Sequence, residues 1–168
     1  MLYIRYATVD DARELGRIHC SSWKDAYKNI VPSNLLEKIN EEKRYERFKK
    51  ALTEGVEEDA ILFEENIAVG FICIGKCRDK DMDDTCGEVW GIYLLPSCTR
   101  KGMGYELMKW GLEEIKKKGY KKATLWVLEE NHDAIEFYKK MGFKYEGTTN
   151  NITIGKVLKE CRYIKDLN

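Results

Sequence analysis

A glycine-containing segment behind a predicted strand carries the most informative chemistry in the sequence. It reads Tyr93-Leu94-Leu95-Pro96-Ser97-Cys98-Thr99-Arg100-Lys101-Gly102-Met103-Gly104. Two glycines at a helix start leave backbone N–H groups unobstructed, and with the helix dipole and two neighbouring cations they could cradle a diphosphate. They could equally serve only close packing of the helix on a sheet. The segment is neither a P-loop nor the dinucleotide fingerprint, because it lacks G-x-x-x-x-G-K-[ST] and a third glycine.

The second informative segment, residues 131–143, follows the next predicted strand. It opens on Asn131, a good helix N-cap. A 3-4 spacing puts Ala134, Phe137 and Tyr138 on one side of the helix, where the small Ala134 leaves a thin face that a ligand could approach. An amphipathic helix with an aromatic core stripe is the alternative, and it is the better interpretation for Phe137. The phenol of Tyr138 needs a partner or solvent if it is buried.

Taken together and in this order, the two segments resemble the acetyl-CoA-binding motifs of the GNAT superfamily of N-acetyltransferases. The pattern N-x-x-A-x-x-F-Y-x-x-x-G-F is matched throughout, by Asn131, Ala134, Phe137, Tyr138, Gly142 and Phe143. The pattern Q/R-x-x-G-x-G/A is matched except at its first position, where Thr99 stands and Arg100 follows one residue later. The resemblance extends over essentially the whole chain, because the order of predicted elements also fits.

This resemblance implies acetyl-CoA as cosubstrate and no metal. Backbone groups of the strand before the loop would hold the pantetheine arm, one of them donating to the thioester carbonyl. The residues from 100 to 105 would surround the pyrophosphate, and Arg100 would supply the charge that Thr99 lacks. The cofactor-binding residues so implied are Ile92, Tyr93, Leu94, Thr99, Arg100, Lys101, Gly102, Met103, Gly104, Tyr105, Asn131, Ala134, Phe137 and Tyr138.

The resemblance also implies direct acetyl transfer to an amine within a ternary complex. The attacking ammonium must first lose a proton, and Glu88 is the candidate base, acting directly or through water. An ordinary solvent-facing strand residue is the alternative interpretation of Glu88. The leaving CoA thiolate needs a proton, and Tyr138 is the candidate acid, with a core role as its alternative.

The acceptor is expected to be a primary amine, either a small molecule such as a polyamine or a peptide or protein amine. Its candidate contacts are Trp23, Tyr27, Glu88, Tyr93 and a predicted loop at residues 148–151. Acidic runs at 57–59, 64–65 and 79–84 could attract a cationic amine, although most such runs are solvated loops. Two other functions stay open: a non-catalytic acyl-CoA-binding or regulatory module on the same fold, and a nucleotide-binding protein.

The elements that must position these residues follow from hydrophobic periodicity. The predicted strands are 2–6, 60–63, 67–75, 87–95, 123–128, 143–147 and 156–164. The predicted helices are 8–27, 41–52, 102–118 and 131–141, with a short helix capped by Ser33. Tight turns join too many strands for a doubly wound fold. The pattern therefore predicts an α/β (α+β) chain, whose mixed, mostly antiparallel GNAT-like sheet of about seven strands has helices on both faces.

Composition limits the remaining function classes. The chain has 168 residues, which predicts a single domain over 1–168, and it balances 29 basic against 29 acidic side chains. That balance argues against a generally basic nucleic-acid binder. Neither a membrane span nor a signal peptide is visible, so a cytoplasmic chain with six reduced cysteines is expected. The spacing of cysteines and histidines predicts no zinc site. A homodimer remains open.

Overall fold

Seven strands form one mixed sheet in the computed structural model, which describes residues 1–168. In chain order the strands are β1 (Leu2–Tyr6), β2 (Glu58–Glu64), β3 (Ile67–Lys76), β4 (Cys86–Leu94), β5 (Lys122–Leu128), β6 (Lys144–Thr153) and β7 (Val157–Asp166). Their order across the sheet is β1-β2-β3-β4-β5-β7-β6. The β4–β5 pair is parallel and all other pairs are antiparallel. The predicted sheet is confirmed.

Five α-helices cover this sheet: α1 (Ala12–Ala26), α2 (Ser33–Leu36), α3 (Glu41–Glu54), α4 (Met103–Lys117) and α5 (His132–Lys140). Side-chain caps fix two of their starts. Asn40 accepts a hydrogen bond from the Lys43 N–H before α3, and Asn131 accepts one from the Ala134 N–H before α5. None of the helices combines the length and apolar character that crossing a membrane requires.

The two faces of the sheet carry separate cores because side chains alternate along each strand. On one face, Ile61 and Phe71 pack with apolar residues of α1 and α3. On the other, Leu62 and Ile72 pack with the buried side of α4. Helices therefore cover both faces, as the periodicity predicts. The core of the α4 face also receives α5, through Ala134, Ile135 and Phe137.

The centre of the sheet opens into a gap between β4 and β5. These strands pair only where Cys86, Gly87 and Glu88 face Lys122, Ala123 and Thr124. The register of β4 against β3 also shifts, because Val89 faces Ile74 while Gly91 faces Cys73. Trp90 is thus an extra residue in β4, and such a bulge bends the strand that carries it. Beyond Glu88, the backbone of residues 89–94 has no partner on its β5 side.

One predicted boundary is wrong. Residues 148–151, predicted as a loop, lie inside β6, which pairs with β7 as far as Thr153. The reason is a shift in register between Tyr145 and Thr149, with Gly147 at a φ of +104°. Three residues of β6 there face a single residue of β7, so the alternation that marks a strand is interrupted in the sequence.

Candidate active site

The glycine segment adopts a conformation that gathers backbone N–H groups. A 3-10 turn spans Pro96–Cys98, Arg100 and Gly102 take left-handed conformations with φ of +60° and +82°, and α4 begins at Met103. Left-handed residues beside a helix start form a concave nest of amides, and the first N–H groups of a helix have no intrahelical acceptor. A Cβ at Gly102 would meet no other atom within 4 Å, so the nest is open to solvent.

The residues flanking the glycines divide between structure and surface. The Thr99 hydroxyl donates to the Pro96 carbonyl at 2.9 Å and so closes the 3-10 turn. Arg100 lies exposed at the surface, with Nη2 3.3 Å from the Asp133 carboxylate on α5. The side chains of Lys101 and Tyr105 are exposed as well. The positive charge beside the nest therefore comes from Arg100 and Lys101, while the Thr99 hydroxyl donates its hydrogen bond within the loop.

Close packing brings α5 against the start of α4. A Cβ at Gly104 would lie 3.5 Å from the ring of Phe137 and 3.3 Å from Leu94 Cδ1. Gly104 therefore allows α4 to pack closely on its neighbours, which is the alternative role that the sequence suggested for the glycines. Phe137 packs on the core, as the interpretation of α5 as an amphipathic helix with an aromatic stripe predicted. This contact holds α5 beside the end of β4.

Tyr138 is half-buried next to Phe137, with ring centroids 5.6 Å apart. Its phenol makes no hydrogen bond within the protein. Burial raises the pKa of Tyr138 above its ordinary value of 10.0, and the phenols of Tyr27 and Tyr93 raise it further. The group consequently stays protonated at neutral pH and can act as a hydrogen-bond or proton donor.

At the end of β4 the side chains point alternately to the two faces of the sheet, while the peptide groups lie in the plane of the sheet. The Ile92 side chain packs on the α4 face, while the Tyr93 ring lies on the α1 face, 4.6 Å from the ring of His19. The peptide groups of Ile92, Tyr93 and Leu94 border the gap toward β5. An extended ligand with amide groups could pair with this open strand edge.

Glu88 is buried, with 1% of its side chain exposed, so the solvent-facing interpretation is wrong. Three groups of Arg78 donate to its carboxylate: the backbone N–H at 2.9 Å, Nε at 3.3 Å and Nη2 at 2.7 Å. The Arg78 guanidinium also lies over the Trp90 ring, 4.3 Å from its centroid. Glu88 faces Thr124 across the last paired position of β4 and β5, at the point where the gap begins.

A buried arginine that the sequence did not single out ties the β3–β4 loop to β7. Arg162, 3% exposed, contacts the carboxylates of Asp79, Asp81 and Glu146 at 3.0, 2.7 and 3.0 Å. These contacts raise the pKa of Arg162 above its ordinary value. The extra residues of β6 supply Glu146 and Thr148 as further partners of this side chain. Asp79, which Arg162 also contacts, directly follows Arg78 in the chain. The acidic run at 79–84 is thus partly structural.

The predicted acceptor residues Trp23 and Tyr27 lie at the end of α1, with ring centroids 4.4 Å apart. Both are half-buried and pack on a small cluster around Leu128 and Leu158. Burial raises the pKa of Tyr27, while a contact with Asn131 opposes that rise. The end of α1 therefore meets the start of α5, and the structure brings Tyr27 near Tyr138.

Sequence reasoning missed a cavity of about 70 Å³ beside β4. It is lined by His19, Arg47, Phe48, Glu57, Phe71, Cys73, Arg78, Trp90, Gly91 and Tyr93. Burial lowers the pKa of His19 to about 3, helped by Arg44 and Arg47, so its ring is neutral. The sequence offered one weak signal, Asp59, an acidic residue that directly precedes the apolar run 60–63 of β2 and lies close to Glu57 and Cys73 of the cavity.

Comparison with known proteins identifies this architecture. The sequence profile of the acetyltransferase (GNAT) family matches residues 20–143. The chain belongs to the GNAT family. It is 28% identical over 160 residues, 95% of this chain and 90% of the relative, to the uncharacterized N-acetyltransferase YuaI of Bacillus subtilis. It is 30% identical over 152 residues to the spermidine N(1)-acetyltransferase of Thermoplasma acidophilum, covering 86% of this chain and 89% of the relative.

Solved structures support the same GNAT fold. The PaiA N-acetyltransferase of Thermoplasma acidophilum in complex with coenzyme A superposes with a TM-score of 0.77 at 24% identity, covering 99% of both chains. The acetyltransferase yncA of Salmonella typhimurium, with its cofactor acetyl-CoA, gives 0.74 at 17% identity, covering 100% of this chain and 95% of the other. The family match and the sequence relatives make the chain an acyltransferase of the N-acetyltransferase class. The two solved structures hold CoA and acetyl-CoA, respectively.

Proposed function

We propose that this GNAT protein transfers the acetyl group of acetyl-CoA to a primary amine by direct attack in a ternary complex. The observation that carries the proposal is the gap between β4 and β5 beyond Glu88 and Thr124. The amide nest at Gly102 lies at the end of this gap, and Tyr138 lies beside it. One site thus offers anion binding, an open strand edge and a protonated donor.

The residues present fit acetyl-CoA. Backbone N–H groups around Gly102 would bind the pyrophosphate, with Arg100 and Lys101 adding charge at the rim. The peptide groups of residues 92–94 would pair with the pantetheine arm, and Ala134 leaves room for the arm along α5. One N–H of β4 would donate to the thioester carbonyl and stabilise the charge that develops there.

Two side chains would move the protons of the reaction. Glu88, through a water molecule, would accept the proton that the acceptor ammonium must lose before its nitrogen attacks the thioester carbon. As the new C–N bond forms and the C–S bond breaks, Tyr138 would donate its phenolic proton to the departing sulfur. Solvent then returns a proton to Tyr138, Glu88 passes its proton to solvent, and the remaining proton of the amine also leaves to solvent, so the products are an amide and CoA.

The acceptor is a small-molecule amine such as a polyamine, or a peptide or protein amine. The relative that acts on spermidine favours the first class. Trp23 and Tyr27 would form one wall of the acceptor site, with Tyr93 and Glu88 opposite. The acidic run at 79–84 would attract a cationic acceptor through the carboxylates other than Asp79 and Asp81, which are paired with Arg162.

An acceptor panel tests the proposal. Acetyl-CoA is incubated with the protein and polyamines, amino acids, aminoglycosides or peptides, and free thiol is measured. We expect thiol release that depends on one class of amine. Acetyl-CoA binding without turnover on any amine would instead support a non-catalytic module. Stronger thermal stabilisation by ATP than by CoA would support a nucleotide-binding protein, because a ligand of the native state raises the unfolding midpoint.

A further inference from the structure

The cavity beside Gly91 has a chemistry that acetyl transfer alone does not require. It lies on the α1 and α3 face, next to the β4 edge proposed to hold the thioester. Its volume of about 70 Å³ accommodates a few non-hydrogen atoms. Rings of Phe48, Phe71, Trp90 and Tyr93 form much of its wall. Two polar side chains, Glu57 and Cys73, also line it.

A buried carboxyl group adjoins these two polar residues. Ligand atoms of Glu57, Asp59 and Cys73 all lie within 4.8 Å of one another. Asp59 is 1% exposed, and neither of its carboxyl oxygens has a hydrogen-bond partner. A polar group that is buried without a partner costs folding free energy, and a ligand that donates hydrogen bonds to it would offset that cost.

The charges around Asp59 do not balance. Glu57 is paired with Arg47, whose Nη2 lies 3.3 Å from Oε1, and it also accepts a hydrogen bond from the Cys73 thiol. Arg78, the second arginine of the cavity, is occupied by Glu88. His19 is neutral because burial lowers its pKa to about 3. An ionised Asp59 would add one negative charge without a paired cation. In the free protein a proton takes that place, because burial and the neighbouring Glu57 raise the pKa of Asp59 to about 8, and a bound ammonium group would displace it.

We propose that Asp59 and Glu57 bind the second ammonium group of a diamine acceptor, whose first amine is the one acetylated. This inference rests on the proposed function and narrows its substrate class. An ammonium group has three N–H donors, enough for both oxygens of Asp59 and one of Glu57. The aromatic walls would pack on the methylene spacer and add cation–π attraction.

The strand register supplies the length of the acceptor. Asp59 faces Cys73 across β2 and β3, and Cys73 faces Gly91 across β3 and β4. Asp59 and Gly91 are thus two strand spacings apart, about 9.6 Å. Gly91 precedes Ile92, whose peptide group borders the gap. After allowance for the two contacts at its ends, this distance fits a short aliphatic diamine, and 1,4-diaminobutane is the probe of choice.

Matched substrates and matched variants test the inference. Turnover with acetyl-CoA is measured for 1,4-diaminobutane and for butylamine, which lacks the second amine. For Asp59→Asn and Glu57→Gln we expect kcat/KM to fall about tenfold or more for the diamine and to stay nearly unchanged for butylamine. Glu58→Gln is the control, because Glu58 lies between Glu57 and Asp59 in the chain but pairs with Lys118 at the surface.

Equal losses for both amines in Asp59→Asn would overturn the inference, since they would indicate a structural role. An unchanged ratio of diamine to monoamine activity would also overturn it. A binding readout separates these results from failure of acetyl transfer itself: 1,4-diaminobutane should raise the unfolding midpoint of the native protein more than that of Asp59→Asn, even without turnover. If Zn²⁺ raised the unfolding midpoint, 1,4-diaminobutane did not, and Cys73→Ala abolished the effect of Zn²⁺, the cluster would be a metal site. That result would contradict the proposal.

Discussion

The carboxylate of Glu88 lies beneath the guanidinium of Arg78, with 2.7 Å between Oε2 and Nη2. Glu88 is 1% exposed, while the Arg78 side chain is 52% exposed, so the arginine covers the carboxylate on one side. The pair stands where β4 and β5 separate. A proton that moves from the acceptor to Glu88 would therefore arrive at a carboxylate that already accepts three hydrogen bonds from Arg78.

Replacement of Glu88 tests its role as base. We expect Glu88→Gln to lower kcat/KM about 100-fold or more and to flatten the acidic limb of the pH–rate profile, because a glutamine cannot accept the proton. Affinity for acetyl-CoA, measured by calorimetry, should not change. An acidic limb that keeps its midpoint in the variant would place the base elsewhere or assign the role to water.

Removal of the Tyr138 hydroxyl tests the proposed acid. Because burial keeps this phenol protonated, we expect Tyr138→Phe to lower kcat by about 100-fold while the Kd for acetyl-CoA stays the same. Pre-steady-state thiol release is the measurement. Tyr145→Phe, which removes a hydroxyl from an exposed residue of β6, provides the control. Full activity in Tyr138→Phe would show that the thiolate leaves without help from this group.

Alanine variants of two glycines that both have positive φ can distinguish an effect on CoA binding from an effect on stability. Gly102 and Gly119 both have positive φ, +82° and +99°, and a Cβ at either would meet nothing within 4 Å. Alanine at either position should cost about 1 kcal/mol of unfolding free energy through backbone strain. Only Gly102→Ala should also weaken CoA binding, by about tenfold, because it disturbs the nest. Equal CoA affinity in the two variants would refute the nest as the pyrophosphate site.

The free energy of unfolding should depend on pH through the buried carboxyl group of Asp59. Burial and the neighbouring Glu57 raise the pKa of Asp59 to about 8, so the folded state holds a proton that the unfolded chain releases near 3.8. The contribution of this proton to the free energy of unfolding is complete below the unfolded-state pKa of Asp59 and is lost as pH rises through the folded-state pKa. We expect Asp59→Asn to gain stability relative to the native protein between these pH values.

This gain should reach up to about 1.4 kcal/mol per pH unit and should level off above the upper pKa. Urea unfolding at several pH values, with Glu58→Gln as control, measures it. A constant difference between the native protein and Asp59→Asn over this range would mean that Asp59 is ionised in the folded state. In that case its charge is balanced by a group other than a proton.

Local patterns predicted most of the fold and part of the site. Periodicity located the helices because each buries one stripe, and the N-cap Asn131 marked the start of α5. The failures lie at bulges. The extra residue Trp90 breaks the alternation of β4, so the burial of Glu88 could not be inferred. The extra residues of β6 opposite Arg162 interrupt the alternation of that strand, so its full length could not be predicted.

The cavity illustrates a different limit of the sequence. Glu57 and Cys73 meet His19 from α1 and Gly91 from β4, and no local pattern reports contacts between such distant positions. The motif residues around Gly102 and Tyr138 could be predicted because they are close in the chain and have fixed spacing. Acceptor residues have no such spacing, since each comes from a different element.

The short pairing of β4 with β5 has a consequence for the folding of the whole sheet. Three residue pairs join a four-stranded half, β1 to β4, to a three-stranded half, β5 to β7. The peptide groups beyond that seam form strand edges inside the molecule, which resemble the exposed edges that promote aggregation. A bound pantetheine arm would cap them. Within residues 89–94, we therefore expect the amide hydrogens that point toward β5 to exchange quickly in the free protein and slowly with bound CoA, which would act as an eighth strand, while those that point toward β3 stay protected in both states.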